Sequence, residues 1–530
     1  MKKCNLFRWA LFVGLSVLPV TILVNLTAIN LYALDDGKSG TDGSSTREFT
    51  PESTIFSLPV SQNEKLNLTL RNLMDIFKVP GMSIAVIDDY KIAWARGFGV
   101  TEPGGSTPVT PRTLFQAGSI SKPVAAAGAL WLVEHGKLFL DEDVNKKLKT
   151  WKVPDNEFTK TEKVTLRRLM SHSAGLTVHG FPGYAVGESI PTLVQVFNGE
   201  KPANTDPVRV EFVPGTAMRY SGGGVTIEQQ LMIDVTGKPF PQFMRETVLS
   251  KIGMADSTYE QPIPSIHAPL TATGTRMDGV PISGKWHIYP EMAAAGLWTT
   301  PVDLAKFAVE IALSKHNKAN HVLSEKMTRE MLASQVKGES VGLGFFLGDQ
   351  EDPDQFGHNG ADEGFQALLM MFADSGKGIA LMGNSDAFLQ MAPYVMNAVA
   401  RQYAWKNPPA PRSAGDILVL IQKIKGTQAA IEQYERLKQG MIEGYKTDDN
   451  ALNQLGYNLL SEKKTDDAIR VFQLNVKEYP QHWNCYDSLG DAYMNAGQRE
   501  FAIESYAKSV ELNPQNQNGV EALKKLRGEK

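Results

Sequence analysis

A serine and a lysine three positions apart are the first candidates for chemistry in this sequence. They are Ser119 and Lys122, in the segment Ser-Ile-Ser-Lys. Residues three apart on a helix lie on one face, so the lysine amine can reach the serine hydroxyl. A serine hydroxyl is a good nucleophile only when a neighbour removes its proton, and a lysine can do this once burial lowers its pKa from about 10.4 toward neutrality. The pair therefore indicates nucleophilic attack on an ester or amide carbonyl.

Spacing alone is weak evidence, because the same Ser-x-x-Lys pattern begins at three other places, Ser334, Ser461 and Ser505. A simpler interpretation is that Ser119 caps a helix and that the lysine is exposed on the first turn. Context separates Ser119 from the other serines. It follows Gln-Ala-Gly and opens a segment whose alanine-rich run, 125–132, predicts a helix buried on most sides. A helix N-terminus also favours the negative charge that develops during such an attack.

The segments around this helix predict an α+β domain over 61–405. A helical pattern occupies 61–78, and two β-rich runs around a polar turn predict a hairpin over 81–97. A second apolar pair, 365–372 and 378–384, predicts another hairpin late in the chain. Strands at both ends with helices between them are typical of α+β folds.

Four segments, in order along the chain, resemble class C serine β-lactamases and the related penicillin-binding proteins. The resemblance covers roughly 61–400 and rests on the segments Leu114–Lys122, Val164–Leu176, Phe212–Gly222 and Gly357–Gly360. It implies a mostly antiparallel sheet flanked by helices, with an inserted helical lobe over roughly 178–290. It also implies a serine hydrolase that works through an acyl-enzyme.

The same resemblance assigns roles to individual residues. Ser119 would be the nucleophile and Lys122 its proton partner. Tyr220 would be a second base, held near the phenolate form by neighbouring cations, and His358 would stand where the family often has a lysine. The oxyanion hole would use the N–H groups of Ser119 and Ala361. Asn359 and Gly360, on the same strand, would line the substrate side, whereas His172 is interpreted as structural, capping the turn near Gly175.

Two departures from the family pattern bear on the substrate. Gly222 stands where the family's Tyr-x-Asn motif has an asparagine, whose amide normally holds a peptide-like side chain. His358 in place of lysine removes a fixed positive charge that would meet a substrate carboxylate. Both favour an esterase or amidase acting on less acidic substrates, small molecules or peptides, over a true β-lactamase or cell-wall peptidase. The alternative is a catalytically weak scaffold whose main role is protein binding.

Composition limits the other classes of function. The chain has 530 residues and a net charge of −4, so it carries no electrostatic signature of nucleic-acid binding. The two cysteines and the scattered histidines have no metal-ligand spacing, and we expect no metal and no cofactor. Residues 1–34, basic and then apolar, predict a signal peptide or an N-terminal membrane anchor. A flexible linker is predicted for 35–60. We therefore expect an extracytoplasmic protein, periplasmic or secreted.

The last part of the chain is repetitive. A proline-rich segment, 406–413, predicts a linker to a helical domain over 414–530. Residue types recur there at a spacing of 34: Leu455-Gly456 and Leu489-Gly490, Ala468 and Ala502, Phe472 and Tyr506, Pro480 and Pro514. That period resembles the tetratricopeptide repeat, and the repeats over 451–514 are a possible protein-binding site. Two repeats would leave apolar faces uncovered, so we expect the helices around 415–445, or the catalytic domain, to cover the first.

Overall fold

The computed structural model describes most of the chain: residues 49–61, 64–350, 352–405, 413–440 and 447–528. These divide into two compact units, 49–455 and 456–528. The predicted leader, residues 35–48 of the predicted linker and residues 406–412 of the proline-rich segment lie outside the described residues. Within the described ranges, no helix is both long and apolar enough to span a bilayer. Apart from the end of the predicted linker, which the first strand corrects below, the domain limits taken from the sequence stay predictions.

The first unit is built on antiparallel strands. In chain order they are β1 Thr54–Ser61, β2 Glu64–Thr69, β3 Gly81–Asp88, β4 Lys91–Gly99, β5 Phe115–Gln116, β6 Tyr184–Ala185, β7 His287–Ile288, β8 Trp298–Thr299, β9 Phe346–Leu347, β10 Gln355–Asp362, β11 Phe365–Phe372 and β12 Lys377–Gly383. Six of them form one sheet in the order β4-β3-β12-β11-β10-β9. The others pair in twos, as β1-β2, β5-β8 and β6-β7.

Both predicted hairpins are confirmed, and the two join into the single sheet. β3 pairs with β4 and β11 with β12, while β12 lies against β3 with Ala380 opposite Ala85. β3 is buried along almost its whole length, which a strand covered on both faces requires. The pairing brings an early and a late segment together, and β10, which carries the Gly357–Gly360 motif, lies one strand from the sheet edge.

The first unit also contains helices, among which the ninth and eleventh pack against the six-stranded sheet and the fourth to seventh lie in the inserted lobe. They are α1 Leu70–Ile76, α2 Ser121–Glu134, α3 Leu166–Met170, α4 Leu193–Asn198, α5 Gly222–Thr236, α6 Phe240–Met244, α7 Ser250–Ile252, α8 Met292–Ala295, α9 Pro301–Lys315, α10 Glu325–Met331, α11 Phe388–Gln402, α12 Ala414–Lys425 and α13 Thr427–Lys438. The α+β class is confirmed. The alanine-rich helix α2 is buried on most of its surface, as its composition predicted, and packs beneath the site.

Two predictions about the start of the domain are wrong. The helical pattern assigned to 61–78 is helical only over Leu70–Ile76, because Leu66, Leu68 and Leu70 recur every second residue and the first two lie in the strand β2. Thr69 then caps α1 through the backbone of Asn72. The linker predicted for 35–60 does not extend to its end either, since residues 54–61 form β1 and pair with β2.

The second unit consists of helices in antiparallel pairs. α14 Asp449–Ser461 begins in the first unit and continues into the second, followed by α15 Thr465–Glu478, α16 Trp483–Asn495, α17 Arg499–Leu512 and α18 Gln517–Arg527. The spacing of 34 has a packing reason. A Cβ on Gly456 would lie 2.5 Å from the ring of Phe472, and one on Gly490 would lie 2.9 Å from the ring of Tyr506. Each repeat thus places an aromatic ring directly on a helix backbone.

A shared carboxylate links successive repeats within this unit. Asp491 accepts hydrogen bonds from the hydroxyls of Tyr457, at 2.7 Å, and of Tyr506, at 2.5 Å. Tyr457 and Asp491 are themselves 34 positions apart. Neighbouring repeats therefore share a polar contact as well as apolar packing, as expected for an array stabilised by nearest-neighbour interfaces. The expectation that the helices near 415–445 cover the first repeat stays a prediction.

Candidate active site

Ser119 lies on a short 3₁₀ turn, Gly118–Ile120, that leads directly into α2. The turn is pressed against β10 with no side chain between the two backbones. A Cβ on Gly360 would lie 1.8 Å from the carbonyl oxygen of Ala117 and 3.1 Å from the Ser119 nitrogen, and one on Gly118 would lie 2.4 Å from the Ala361 nitrogen. Glycine is required at both positions. The structure thus brings the backbone amides of Ser119 and Ala361, the two predicted oxyanion donors, to the same narrow space.

Lys122 lies beneath Ser119, one turn into the helix, and is almost fully buried. Its Nζ donates hydrogen bonds to Ser119 Oγ, at 2.8 Å, and to the carbonyl oxygen of Ala294, at 2.7 Å. Burial lowers the pKa of Lys122 to about 7, although the negative charges of Asp362 and Glu228 oppose the shift. At neutral pH a large fraction of the amine is therefore unprotonated and able to accept the serine proton.

Tyr220 closes the group from the inserted lobe, just before α5. Lys122 Nζ lies 5.0 Å from the centre of its ring, so the serine, the lysine and the distant tyrosine do meet. Burial raises the pKa of the Tyr220 phenol above its ordinary value, opposed by a hydrogen bond with the Ser119 side chain. This shift runs against the predicted near-phenolate form, because burial disfavours the phenolate and Lys122, the cation that the prediction required, is only partly charged at neutral pH.

His358 lies on β10, with its ring centre 6.1 Å from that of Tyr220. Burial, and then the charge of Lys122, lower the pKa of His358 to about 3. Its Nδ1 lies 2.5 Å from the carbonyl oxygen of Asn359, whose side chain is exposed. The histidine is therefore neutral across the physiological range. The structure brings His358 to the site, but as an uncharged ring.

Sequence reasoning missed two rings that also contact Tyr220 and misread a third. The ring centre of His179 lies 4.8 Å from that of Tyr220, and that of Phe346 lies 6.1 Å away. His172, interpreted as a cap near Gly175, instead stacks 4.2 Å from Tyr220, and its Nδ1 accepts a hydrogen bond from the Ser221 backbone. His179 and Phe346 lie outside the motifs, so nothing in the sequence indicates that they contact Tyr220.

Three buried carboxyl groups were also missed: Asp362 and Glu228, whose charges act on the Lys122 amine, and Glu291, whose charge acts on Asp362. Burial raises the pKa of Glu228, on α5, to about 8, and that of Glu291, before α8, to about 8 as well. The pKa of Asp362, at the end of β10, is raised well above its ordinary value for the same reason. Glu228 and Glu291 are therefore mostly protonated at neutral pH, and Glu228 stabilises a charged lysine only weakly.

Gly222 begins α5, immediately after its N-cap Ser221. A Cβ at this position would lie 3.0 Å from the ring of Phe181 and 3.1 Å from the carbonyl oxygen of His179. The space into which the family's asparagine would extend is therefore occupied by an aromatic ring and a backbone carbonyl.

Comparison with known proteins bears on both units. The antiparallel sheet with its inserted lobe has the architecture that the resemblance implied, that of serine β-lactamases and penicillin-binding proteins. A family model described as Beta-lactamase matches residues 66–401, and one described as Tetratricopeptide repeat matches residues 484–516. The chain thus belongs to the β-lactamase family of serine hydrolases and carries a tetratricopeptide repeat in its C-terminal part. Both resemblances drawn from the sequence are confirmed.

The similar proteins differ in what their names describe. A β-lactamase of Pseudomonas fluorescens is 28% identical over 40% of this chain and 55% of its own length. An unguisins hydrolase of Aspergillus campestris is 30% identical over 36% of this chain and 35% of its own length. Penicillin-binding protein 4 of Amycolatopsis lactamdurans is 26% identical over 58% of this chain and 81% of its own length. The chain thus covers about half or less of the length of the first two relatives.

Solved structures support the fold. The octameric penicillin-binding protein homologue from Pyrococcus abyssi aligns with a TM-score of 0.51 and 23% identity, over 63% of this chain and 76% of that one. A β-lactamase/D-alanine carboxypeptidase from Yersinia pestis aligns with a TM-score of 0.50 and 21% identity, over 63% of this chain and 95% of that one. At these identities the likeness concerns architecture alone.

Proposed function

We propose that the protein hydrolyses uncharged esters or amides through an acyl-enzyme intermediate on Ser119. The observation that carries the proposal is the 2.8 Å contact between Ser119 Oγ and a buried lysine amine whose pKa is about 7. A nucleophile and its base are then within hydrogen-bond reach, and the base has a pKa near the working pH. The family to which the chain belongs, and its β-lactamase, penicillin-binding and hydrolase relatives, support the same class of reaction.

The mechanism assigns one role to each group. Neutral Lys122 takes the Ser119 proton as Oγ forms a bond to the substrate carbonyl carbon. The N–H groups of Ser119 and Ala361 stabilise the oxyanion of the tetrahedral intermediate. The Tyr220 phenol donates its proton to the departing alcohol or amine and is reprotonated from the ammonium of Lys122. A water molecule then attacks the acyl-enzyme, which releases the acid and restores the serine hydroxyl.

The preference for uncharged substrates follows from two positions. His358 is neutral where the family often has a lysine, so it offers no fixed charge to a substrate carboxylate. At Gly222 the place of an amide is occupied by Phe181 and the His179 backbone. A substrate with a free carboxylate or a peptide-like side chain loses both of its usual partners.

Covalent labelling tests the proposal. A fluorophosphonate should label wild-type protein on the peptide that contains Ser119, as read by mass spectrometry, and Ser119→Ala should abolish the label. Ser334→Ala is the matched control, because Ser334 begins another Ser-x-x-Lys pattern but is exposed and donates its hydroxyl to Val336 and Glu339 carbonyls. Labelling that survives Ser119→Ala and disappears in Ser334→Ala would contradict the proposal.

A substrate panel tests the preference. Short-chain p-nitrophenyl esters should be cleaved faster than nitrocefin and D-Ala-D-Ala peptides, both of which carry carboxylates. Fast nitrocefin turnover with negligible ester cleavage would contradict the preference while leaving the acyl-enzyme itself in place.

The second candidate function is protein binding by the repeats, with weak or no catalysis. It is favoured by the tetratricopeptide match and by Phe501, a phenylalanine of α17 that is 54% exposed and stacks on Tyr493 at 5.3 Å. If protein binding is the main function, fluorophosphonate would not label Ser119, and Phe501→Asp in the full chain would abolish binding of the partner protein. Labelling that is intact alongside capture would show that the two functions coexist.

A further inference from the structure

An exposed aromatic side chain continues the wall of the candidate site. Phe346 lies on β9, at the edge of the six-stranded sheet, and is 36% exposed. Its ring is nearly parallel to that of Tyr220, at 13° and 6.1 Å, and lies 5.0 Å from the ring of His358. The rings of Phe346, Tyr220, His358 and His179 are called the ring surface below.

The ring surface is apolar in character. Its histidines are uncharged near neutral pH, since burial and the charge of Lys122 lower the pKa of both His358 and His179. Its tyrosine is a neutral phenol. Flat neutral rings bind aryl and alkyl groups by burial and stacking and offer a carboxylate no positive charge to pair with.

The position of the ring surface fixes which part of a substrate it meets. In the proposed mechanism the Tyr220 hydroxyl gives its proton to the departing atom. The group attached to that atom therefore lies beside Tyr220, and Phe346 is an exposed phenylalanine whose ring lies parallel to that of Tyr220. A solitary exposed phenylalanine needs no explanation, but one stacked on the proposed proton donor is placed to contact the leaving group.

We propose that Phe346 is a specificity-determining residue that holds an uncharged aryl or alkyl leaving group against the ring surface. The inference rests on the proposed function and names its substrate class: esters or amides of apolar alcohols or amines. The acyl portion is not selected by this surface.

The test varies the leaving group with the acyl group fixed. Wild-type kcat/KM is measured by acid release for phenyl, hexyl, ethyl and 4-carboxyphenyl butyrate. The kcat/KM for phenyl butyrate should exceed that for 4-carboxyphenyl butyrate by roughly 10-fold or more. Gaining or losing a hydrophobic contact typically has an effect of this size. Phe346→Ala should lower the phenyl-to-ethyl and hexyl-to-ethyl ratios by roughly 10-fold, mainly through KM.

Controls separate this inference from folding and from the proposed function. Phe139→Ala removes another exposed phenylalanine, 51% exposed, and should leave the ratios unchanged. Phe346→Leu keeps an apolar side chain and should retain most of the hexyl-to-ethyl ratio, with thermal melts confirming that both variants fold. Unchanged leaving-group ratios in Phe346→Ala would overturn the inference. So would a loss of kcat/KM in this variant that depends on the length of the acyl group, measured by comparing ethyl butyrate with ethyl octanoate. If fluorophosphonate does not label Ser119 in the wild-type protein, the proposed function and the inference are both overturned.

Discussion

The pKa of Lys122 makes a specific prediction about pH. If the neutral amine is the base that activates Ser119, acylation should follow its unprotonated fraction. With a pKa of about 7, that fraction is roughly 1% at pH 5, 9% at pH 6, half at pH 7 and 91% at pH 8. The rate of acylation should therefore rise about tenfold per pH unit at the acid end and become level above pH 8.

The groups that face Lys122 must be separated from the lysine itself. Histidines 172, 179 and 358 have pKa values lowered from 6.5, so their midpoints lie below that of Lys122. Of the carboxyl groups that act on the amine, Asp362 has a pKa raised well above its ordinary value and Glu228 has a pKa of about 8. Glu228 therefore ionises just above the Lys122 midpoint and is tested alongside the lysine.

The assay is the second-order rate of fluorophosphonate labelling of Ser119 from pH 5 to 10, which avoids steps after acylation. Lys122→Arg, which stays charged throughout, should reduce the rate by about two to four orders of magnitude and remove the rise near pH 7. An unburied lysine would give a rate that keeps rising tenfold per unit up to pH 10. That result, or an unchanged rise near pH 7 in Lys122→Arg, would refute the role given to the amine.

Three further predictions concern the same region. Glu228 is mostly protonated at pH 7 and ionises near pH 8, where its charge opposes loss of the Lys122 proton, so Glu228→Gln should leave the acid part of the labelling rise unchanged and make the rate become level at lower pH; an unmoved plateau in a folded variant would contradict this coupling. Lys122→Met should abolish labelling yet stabilise the fold by about 1–4 kcal/mol at pH 7, because burying the amine costs roughly 4–5 kcal/mol and the Ala294 carbonyl left unpaired in the variant costs about 1–3 kcal/mol. The unfolded lysine keeps its proton up to about pH 10.5, so this gain should shrink as pH rises from 7 toward 10.5, as urea unfolding would measure. Gly360→Ala should lower the melting temperature and the labelling rate together, since its Cβ would lie 1.8 Å from the Ala117 oxygen; a wild-type melt would contradict the described packing.

Local patterns were enough to find the candidate nucleophile and its hydrogen-bonding partner. Ser119 and Lys122 are three residues apart at the start of a helix, and their contact follows from helix geometry. The two hairpins also followed from alternation and turn residues. Tyr220 is about a hundred positions away from the pair in sequence, so no local rule relates them, and only the family resemblance indicated that they meet.

Apart from the burial of α2, the sequence did not show which polar groups are buried. The expectation of a near-phenolate Tyr220 assumed a fully charged Lys122 and took no account of the burial of the phenol itself, which raises its pKa. Glu228 reads as an ordinary polar residue of a helix until tertiary packing encloses it. Phe346 lies on a two-residue strand without a motif, and β2 was mistaken for helix because three leucines at a period of two were assigned a helical period.

The backbone contact between the turn that carries Ser119 and β10 limits how the substrate range of the candidate site can change in evolution. Where two main chains touch directly, there are no side chains to exchange, and nearly every substitution at Gly118 or Gly360 is excluded by volume. A change in substrate range must then come from substitutions at nearby solvent-exposed positions. Directed-evolution libraries for new substrates would do best to keep the turn and strand fixed and vary the rim.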